Sequence, residues 1–236
     1  TSPVTQLMAG TVDVGLDGTG TLDIRQNGTV QTGGAQIGVF SGATGTVNMS
    51  EDEIGSFWTL AGDLVVGNDG TGTLEMGPSF FGTVLRTAEE QTHNIIIANG
   101  PSSVGLLRAR GQGTSLEING EIQVGPQGDG MLIVEDFAIA TAQAIAVGPF
   151  EGIEATEIGG DLIVQGRGEI PEQELNDVEI EGDLTVGEIG PATLSLTNQA
   201  AVSANNVYIA GGDGGSVDVL IDNSILEATQ SVFIGE

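Results

Sequence analysis

The chain has 236 residues, with 33 Asp or Glu against five Arg and no Lys or Cys, for a net charge of −28. Phosphate recognition needs clustered Lys and Arg, so nucleic acid is excluded as a partner and anionic membrane surfaces are disfavoured. Without Cys no disulfide framework or thiolate metal site can form, and no stretch approaches the roughly 18 apolar residues of a membrane span.

Read in chain order, one short pattern, hydrophobic-x-hydrophobic-Gly, keeps returning. Its copies are Val12-Asp13-Val14-Gly15, Ala35-Gln36-Ile37-Gly38, Leu64-Val65-Val66-Gly67, Ile95-Ile96-Ile97-Ala98 and Ile122-Gln123-Val124-Gly125. They continue as Ile145-Ala146-Val147-Gly148, Leu162-Ile163-Val164-Gln165, Leu184-Thr185-Val186-Gly187, Val207-Tyr208-Ile209-Ala210 and Val232-Phe233-Ile234-Gly235. The second hydrophobic position falls at 14, 37, 66, 97, 124, 147, 164, 186, 209 and 234, in steps of 23, 29, 31, 27, 23, 17, 22, 23 and 25. A period in the twenties is that of a solenoid coil.

Each copy opens a longer unit. Val66-Gly67 is followed by Asn68-Asp69-Gly70-Thr71-Gly72 and then by Leu74 and Met76; Val14-Gly15 is followed in the same way by Leu22 and Ile24. Alternating apolar residues between Gly-rich turns mark short strands with one buried face. A third strand precedes the motif at Trp58-Thr59-Leu60, Leu116-Glu117-Ile118, Thr156-Glu157-Ile158 and Val178-Glu179-Ile180. The expectation is an all-β parallel β-helix, a single solenoid domain over 1–236 with about ten coils of 22–31 residues. An up-and-down barrel is the runner-up, and it leaves the repetition unexplained. The long steps place insertions at Glu51-Asp52-Glu53 and between Gly77 and His93, and the step of 17 implies an abbreviated coil. Pro171 marks a further acidic turn, from Glu169 to Asp177.

The run from Phe57 through Gly62-Asp63-Leu64-Val65-Val66-Gly67 to Gly70-Thr71-Gly72-Thr73-Leu74 resembles the repeats of bacterial autotransporter passenger regions and similar large secreted proteins. Gly18-Thr19-Gly20-Thr21-Leu22 and Gly42-Ala43-Thr44-Gly45-Thr46-Val47 are similar to the same repeat. The resemblance implies a right-handed β-helix, secreted and displayed at the bacterial cell surface as a stalk or adhesive scaffold. Trp58 is the only Trp, so that column does not repeat, and no membrane-inserting barrel follows. The chain reads as a segment of a longer secreted protein.

Enzyme signatures are scarce. His93 is the sole His, which excludes any site with two His ligands, and it reads as a surface residue of an insertion. Asp63, Glu121, Asp161 and Asp183 each precede the first apolar residue of their motif, with Asp161 and Asp183 expected one coil apart. Paired carboxylates can hydrolyse glycosides. However, the same column holds Thr11, Gly34, Asn94, Ala144, Asn206 and Ser231, which fits a turn position whose side chain caps backbone N–H groups. A polysaccharide-active enzyme would need close carboxylates and an Arg, for which Arg108, Arg110 and Arg167 are the candidates. No cofactor is expected beyond Ca²⁺, for which Asp69 and Asp213 are candidate ligands at acidic turns.

The outward residue of the motif strand reads Asp13, Gln36, Val65, Ile96, Gln123, Ala146, Ile163, Thr185, Tyr208 and Phe233. Val65, Ile96, Ile163, Tyr208 and Phe233 form a candidate interaction strip, beside the bland reading of ordinary β-propensity. Taken together, the sequence points to a non-enzymatic extracellular scaffold. Its candidate partners are neighbouring solenoid coils, like subunits or surface glycans, and it inserts in no membrane by this segment. The alternatives are a self-assembling filament subunit and a polysaccharide-active β-helix enzyme.

Overall fold

A computed structural model of the chain describes residues 5–49, 55–78, 82–88, 92–149, 159–166, 178–188, 190–209 and 216–235. The first two coils are β1 (Gln6–Val14) with β2 (Thr19–Ile24) and β3 (Thr29–Ile37) with β4 (Thr44–Met49). The next two open with strands split at a corner. These are β5 (Phe57–Leu60), β6 (Leu64–Val66) and β7 (Thr71–Met76), then β8 (Thr83–Thr87), β9 (Ile95–Ile97) and β10 (Val104–Arg110). The middle of the chain gives β11 (Thr114–Val124), β12 (Asp129–Glu135), β13 (Ile139–Val147) and β14 (Gly160–Gln165). Last come β15 (Val178–Ile180), β16 (Asp183–Val186), β17 (Pro191–Thr197), β18 (Ala201–Ile209), β19 (Ser216–Asp222) and β20 (Ile225–Ile234). No helix occurs among the described residues.

Every strand pairing is parallel, and each joins one coil to the next. The protein is a parallel β-solenoid. A 12-stranded sheet carries two sides of the coil, the third-strand ladder and the motif ladder, while an 8-stranded sheet carries the remaining side. The corner between the first two sides appears as a break in register, as between Ile118 and Glu121 in β11.

Alternation decides what is inside. In β6, Leu64 and Val66 are fully buried and Val65 between them is half-buried. The same two-residue period runs through β7 and β17. The resulting core is one continuous aliphatic stack from Val14 to Ile209. Trp58 sits wholly inside it, and its indole N–H donates to Thr32 Oγ1 at 3.1 Å, so the one large polar tip is paired.

Two glycine columns make the corner after the motif strand. Gly67 turns with φ of 78°. Gly72 then starts the next strand so close to that turn that a Cβ on it would lie 2.2 Å from Gly67 N and 2.5 Å from Ile37 O. Both positions therefore need the absent side chain. Ala98 occupies the turn column with φ of 64°, a left-handed conformation that non-glycine residues adopt at a cost of roughly 1–2 kcal/mol.

The coil count differs from the sequence expectation. Leu162-Ile163-Val164-Gln165 is not a motif copy: β14 pairs with β12 and β17 in the 8-stranded sheet, with Leu162 between Leu132 and Leu194. The motif ladder instead steps directly from Val147 to Val186, 39 residues on (186 − 147). There is no abbreviated coil at that point. The motif ladder has nine rungs, not ten, and the eight rungs of the second sheet span seven full turns. At the strand spacing of about 4.8 Å the second sheet rises roughly 34 Å. The third-strand ladder passes from Ala140–Ala142 to Val178–Ile180. Thr156-Glu157-Ile158 and the insertion residues Glu51-Asp52-Glu53 and Glu169 to Asp177 lie outside the described residues.

Candidate functional site

The acidic motif column is where sequence reasoning placed its chemistry, and its geometry is that of a hydrogen-bonded seam. Asp63 Oδ1 accepts the Asn94 backbone N–H at 2.8 Å, and Asn94 Oδ1 accepts the Glu121 N–H at 3.0 Å. Further along, Asn206 Nδ2 donates to Asp183 Oδ1 at 2.8 Å. Each bond joins one coil to the next at the bend where the backbone leaves the third-strand ladder; Asp63 and Asn94 accept from backbone amides there, while Asn206 and Asp183 pair side chain to side chain.

Asp161 does not belong to this column. It faces outward from β14, with Met131 and Thr193 as its rung neighbours. The expected Asp161–Asp183 pair one coil apart therefore does not form, because the two residues stand on different sides of the coil. The same correction applies to Ile163, whose rung partners are Ile133 and Ser195.

The outward motif column reads Asp13, Gln36, Val65, Ile96, Gln123, Ala146, Thr185, Tyr208 and Phe233, one residue per rung. The candidate strip is thereby split. Val65 and Ile96 are adjacent and half-buried, Gln123, Ala146 and Thr185 follow, and the aromatic pair closes the ladder. Tyr208 and Phe233 stack on each other with centroids 4.9 Å apart and planes 3° from parallel. The stack joins one coil to the next through the two facing ring surfaces, and Phe233 is 50% exposed.

His93 is less exposed than the sequence suggested. Its side chain is 13% exposed, Nδ1 lies 3.9 Å from Asp63 Oδ1, and its backbone N–H donates to Asn119 O at 3.1 Å. Arg108 projects from the outer face of the second sheet. Its guanidinium lies 3.7 Å from Glu75, its rung partner, and 3.3 Å from Glu135, diagonally opposite. The Nε makes no aligned hydrogen bond there, so the contact with Glu135 is electrostatic. The carboxylate–arginine grouping the sequence allowed thus exists on a flat ladder, with the cation lying between the two anions. Arg110 is the rung partner of Glu135, and Arg167 lies outside the described residues.

At the acidic turn after Gly67, Asn68 Oδ1 accepts from Asn99 Nδ2 at 2.9 Å, and the Asp69 backbone N–H donates to Val39 O. Among the described residues no three His, Asp or Glu side chains gather as a metal ion would require. Asp213 lies outside the described residues. With a net charge of −28, the expected cation response is screening: salt raises the melting temperature, and Ca²⁺ does no more than Mg²⁺ at matched ionic strength. A rise specific to Ca²⁺ and reversed by chelation would instead demand a dedicated site.

Sequence reasoning missed the seam bonds on the second sheet, such as Asn48 Nδ2 to Asp23 Oδ1 at 2.7 Å. The available signal was Asp23 and Asn48, each two residues after the Gly-Thr of successive coils. No protein-family model matches the chain, and no curated protein or solved structure matches it. Among the described residues no helix is long and apolar enough to cross a membrane.

Proposed function

We propose that the chain is a structural β-helix scaffold, a rigid spacer of a bacterial surface or secreted protein, with no catalytic role. One observation carries this reading. The polar side chains that offered chemistry are engaged in coil-to-coil bonds, as at Asp63–Asn94–Glu121, Asp183–Asn206 and Glu75–Arg108–Glu135. Such bonds stiffen a ladder and hold these side chains to its structure.

The resemblance of Gly62 to Leu74 to autotransporter passenger repeats supports an extracellular setting, with adhesion to a glycan surface as the role of the outer face. A right-handed coil follows from the strong preference of parallel crossover connections for that hand. The charge argues against nucleic acid and anionic membranes as partners.

The reading is tested by placing the chain between a secretion signal and an outer-membrane barrel anchor. It is then probed with external protease and assayed for release of reducing ends from neutral and acidic polysaccharides. A surface-displayed, protease-resistant rod with no release is expected. Saccharide release that disappears in Glu75→Gln or Glu135→Gln would replace the scaffold reading with the enzymatic one.

A further inference from the structure

The Gly-Thr-Gly-Thr runs that mark the repeat also lay a second pattern on the outside of the solenoid. Thr19-Gly20-Thr21, Thr44-Gly45-Thr46 and Thr71-Gly72-Thr73 open β2, β4 and β7, three successive rungs of the second sheet. Their register is unbroken. Thr44 lies between Thr19 and Thr71, and Thr46 lies between Thr21 and Thr73. The glycine of each run takes the inward position, so the threonines on either side of it face out. Thr44 and Thr71 are exposed, and Thr46 and Thr73 are half-buried.

The outward threonines form a grid. Rows are separated by about 4.8 Å from rung to rung, and the two columns by about 6.6 Å, twice the rise per residue. A β-branched side chain is restricted at χ1, so each hydroxyl and methyl is confined to few positions. The backbone beneath is also fixed. A Cβ on Gly45 would lie 2.1 Å from Val14 O, and one on Gly72 would lie 2.5 Å from Ile37 O, so these strands start pressed against the motif ladder. Among the described residues, the hydroxyls of Thr44, Thr46, Thr71 and Thr73 bond to no protein group.

Strand propensity explains a threonine at any one of these places, but not the whole array. The next rung continues the two columns with Val104 and Leu106. Four rungs of both columns therefore carry no charge, on a chain whose net charge is −28. Asp129 ends this stretch on the fifth rung.

Such a surface suits a ligand that is flat, uncharged and itself periodic. A peptide, an ion or a dissolved sugar presents single groups and gains nothing from a lattice of identical ones. A crystalline polysaccharide is periodic, but it calls for aromatic platforms, and these columns hold no aromatic residue over the four rungs. We infer that the threonine grid binds the surface of ice, its hydroxyls taking places in the outermost water layer and its methyls filling the gaps between them. Water held over a rigid grid is already ordered, so joining it to a crystal costs little further immobilisation. The scaffold role does not require this activity, and its failure would leave that reading intact.

Thermal hysteresis tests the proposal on the whole chain: the gap between the temperature at which an ice crystal melts and that at which it resumes growth. Thr46→Lys sets a charge at the centre of the grid. Thr193→Lys makes the same change of charge in the same column but away from the grid, between Asp161 and Asp218. Circular dichroism checks that both variants fold, and Thr71→Lys, at an exposed position, repeats the test if Thr46→Lys does not. Expected is a gap that widens with protein concentration, is lost in Thr46→Lys and is kept in Thr193→Lys. A parent chain without a gap, a gap that Thr46→Lys leaves unchanged, or equal loss in both variants would overturn the proposal. Retention on crystalline cellulose by a parent chain that shows no gap would overturn it in favour of a polysaccharide surface.

Discussion

Leu184→Asp abolishes cooperative folding, whereas Thr185→Asp, one residue away, changes stability by no more than about 1 kcal/mol. Leu184 has no exposure and lies in the inward ladder between Ile145 and Val207. A carboxylate there meets aliphatic carbon above and below and finds no donor. Burying it ionised costs far more than the 5–15 kcal/mol that holds a typical domain together. Protonation reduces the cost but still leaves an unpaired polar group and an ill-filled rung. Thr185 points the other way, half-buried between Ala146 and Tyr208, where a carboxylate keeps contact with water. Urea unfolding followed by circular dichroism separates the two, and equal losses at both positions would contradict the assigned faces.

Gly72→Ala comes next in size, because the added methyl meets backbone and not a movable side chain. Its Cβ would stand 2.2 Å from Gly67 N, 2.5 Å from Ile37 O and 2.8 Å from Val66 C. Relief requires parting two rungs at the corner, a backbone shift that costs at least about 3 kcal/mol on the scale of overpacked cores. Gly18→Ala serves as the control, since nothing lies within 4 Å of its would-be Cβ. There the substitution is neutral or stabilises by up to about 1 kcal/mol through the unfolded chain. A Gly72→Ala variant as stable as the parent would show that the corner is looser than described.

These two predictions rest on features the sequence displays openly. Alternation in Leu64-Val65-Val66 and the glycine after it encode a buried-out-buried strand and a left-handed turn. Val-Gly, Leu-x-Ile and the Gly-Thr-Gly-Thr runs therefore sufficed for the parallel solenoid. Apolar alternation is the same on every side of the coil, however, and cannot by itself name the side. Leu162-Ile163-Val164 imitates the motif strand, and counting it produced a tenth rung and the false Asp161–Asp183 pairing. The discriminating signal was local: Gly159-Gly160 ahead of the strand and Gln165 after it. A Cβ on Gly160 would lie 2.2 Å from Val124 O, the crowding typical of the first strand position in the second sheet.

The candidate site was legible in part. A column mixing Asp, Asn, Ser, Thr and Gly already pointed to backbone capping, and the Asp63–Asn94–Glu121 bonds are of that kind. The partial burial of His93 was not readable, because it depends on its backbone pairing with Asn119, 26 residues away. Nor was the Glu75–Arg108–Glu135 grouping, since Glu75, the rung partner of Arg108, and Glu135, diagonal to it, stand 33 and 27 residues away across coils of unequal length.

Cross-strand backbone NMR contacts test the ladder assignment most directly. On uniformly labelled chain, interstrand amide and Hα contacts should join Val147 to Val186 and Ile133 to Ile163, as expected for parallel rungs about 4.8 Å apart. Contacts joining Val147 to Val164 instead would restore a ten-rung motif ladder and contradict the nine-rung ladder.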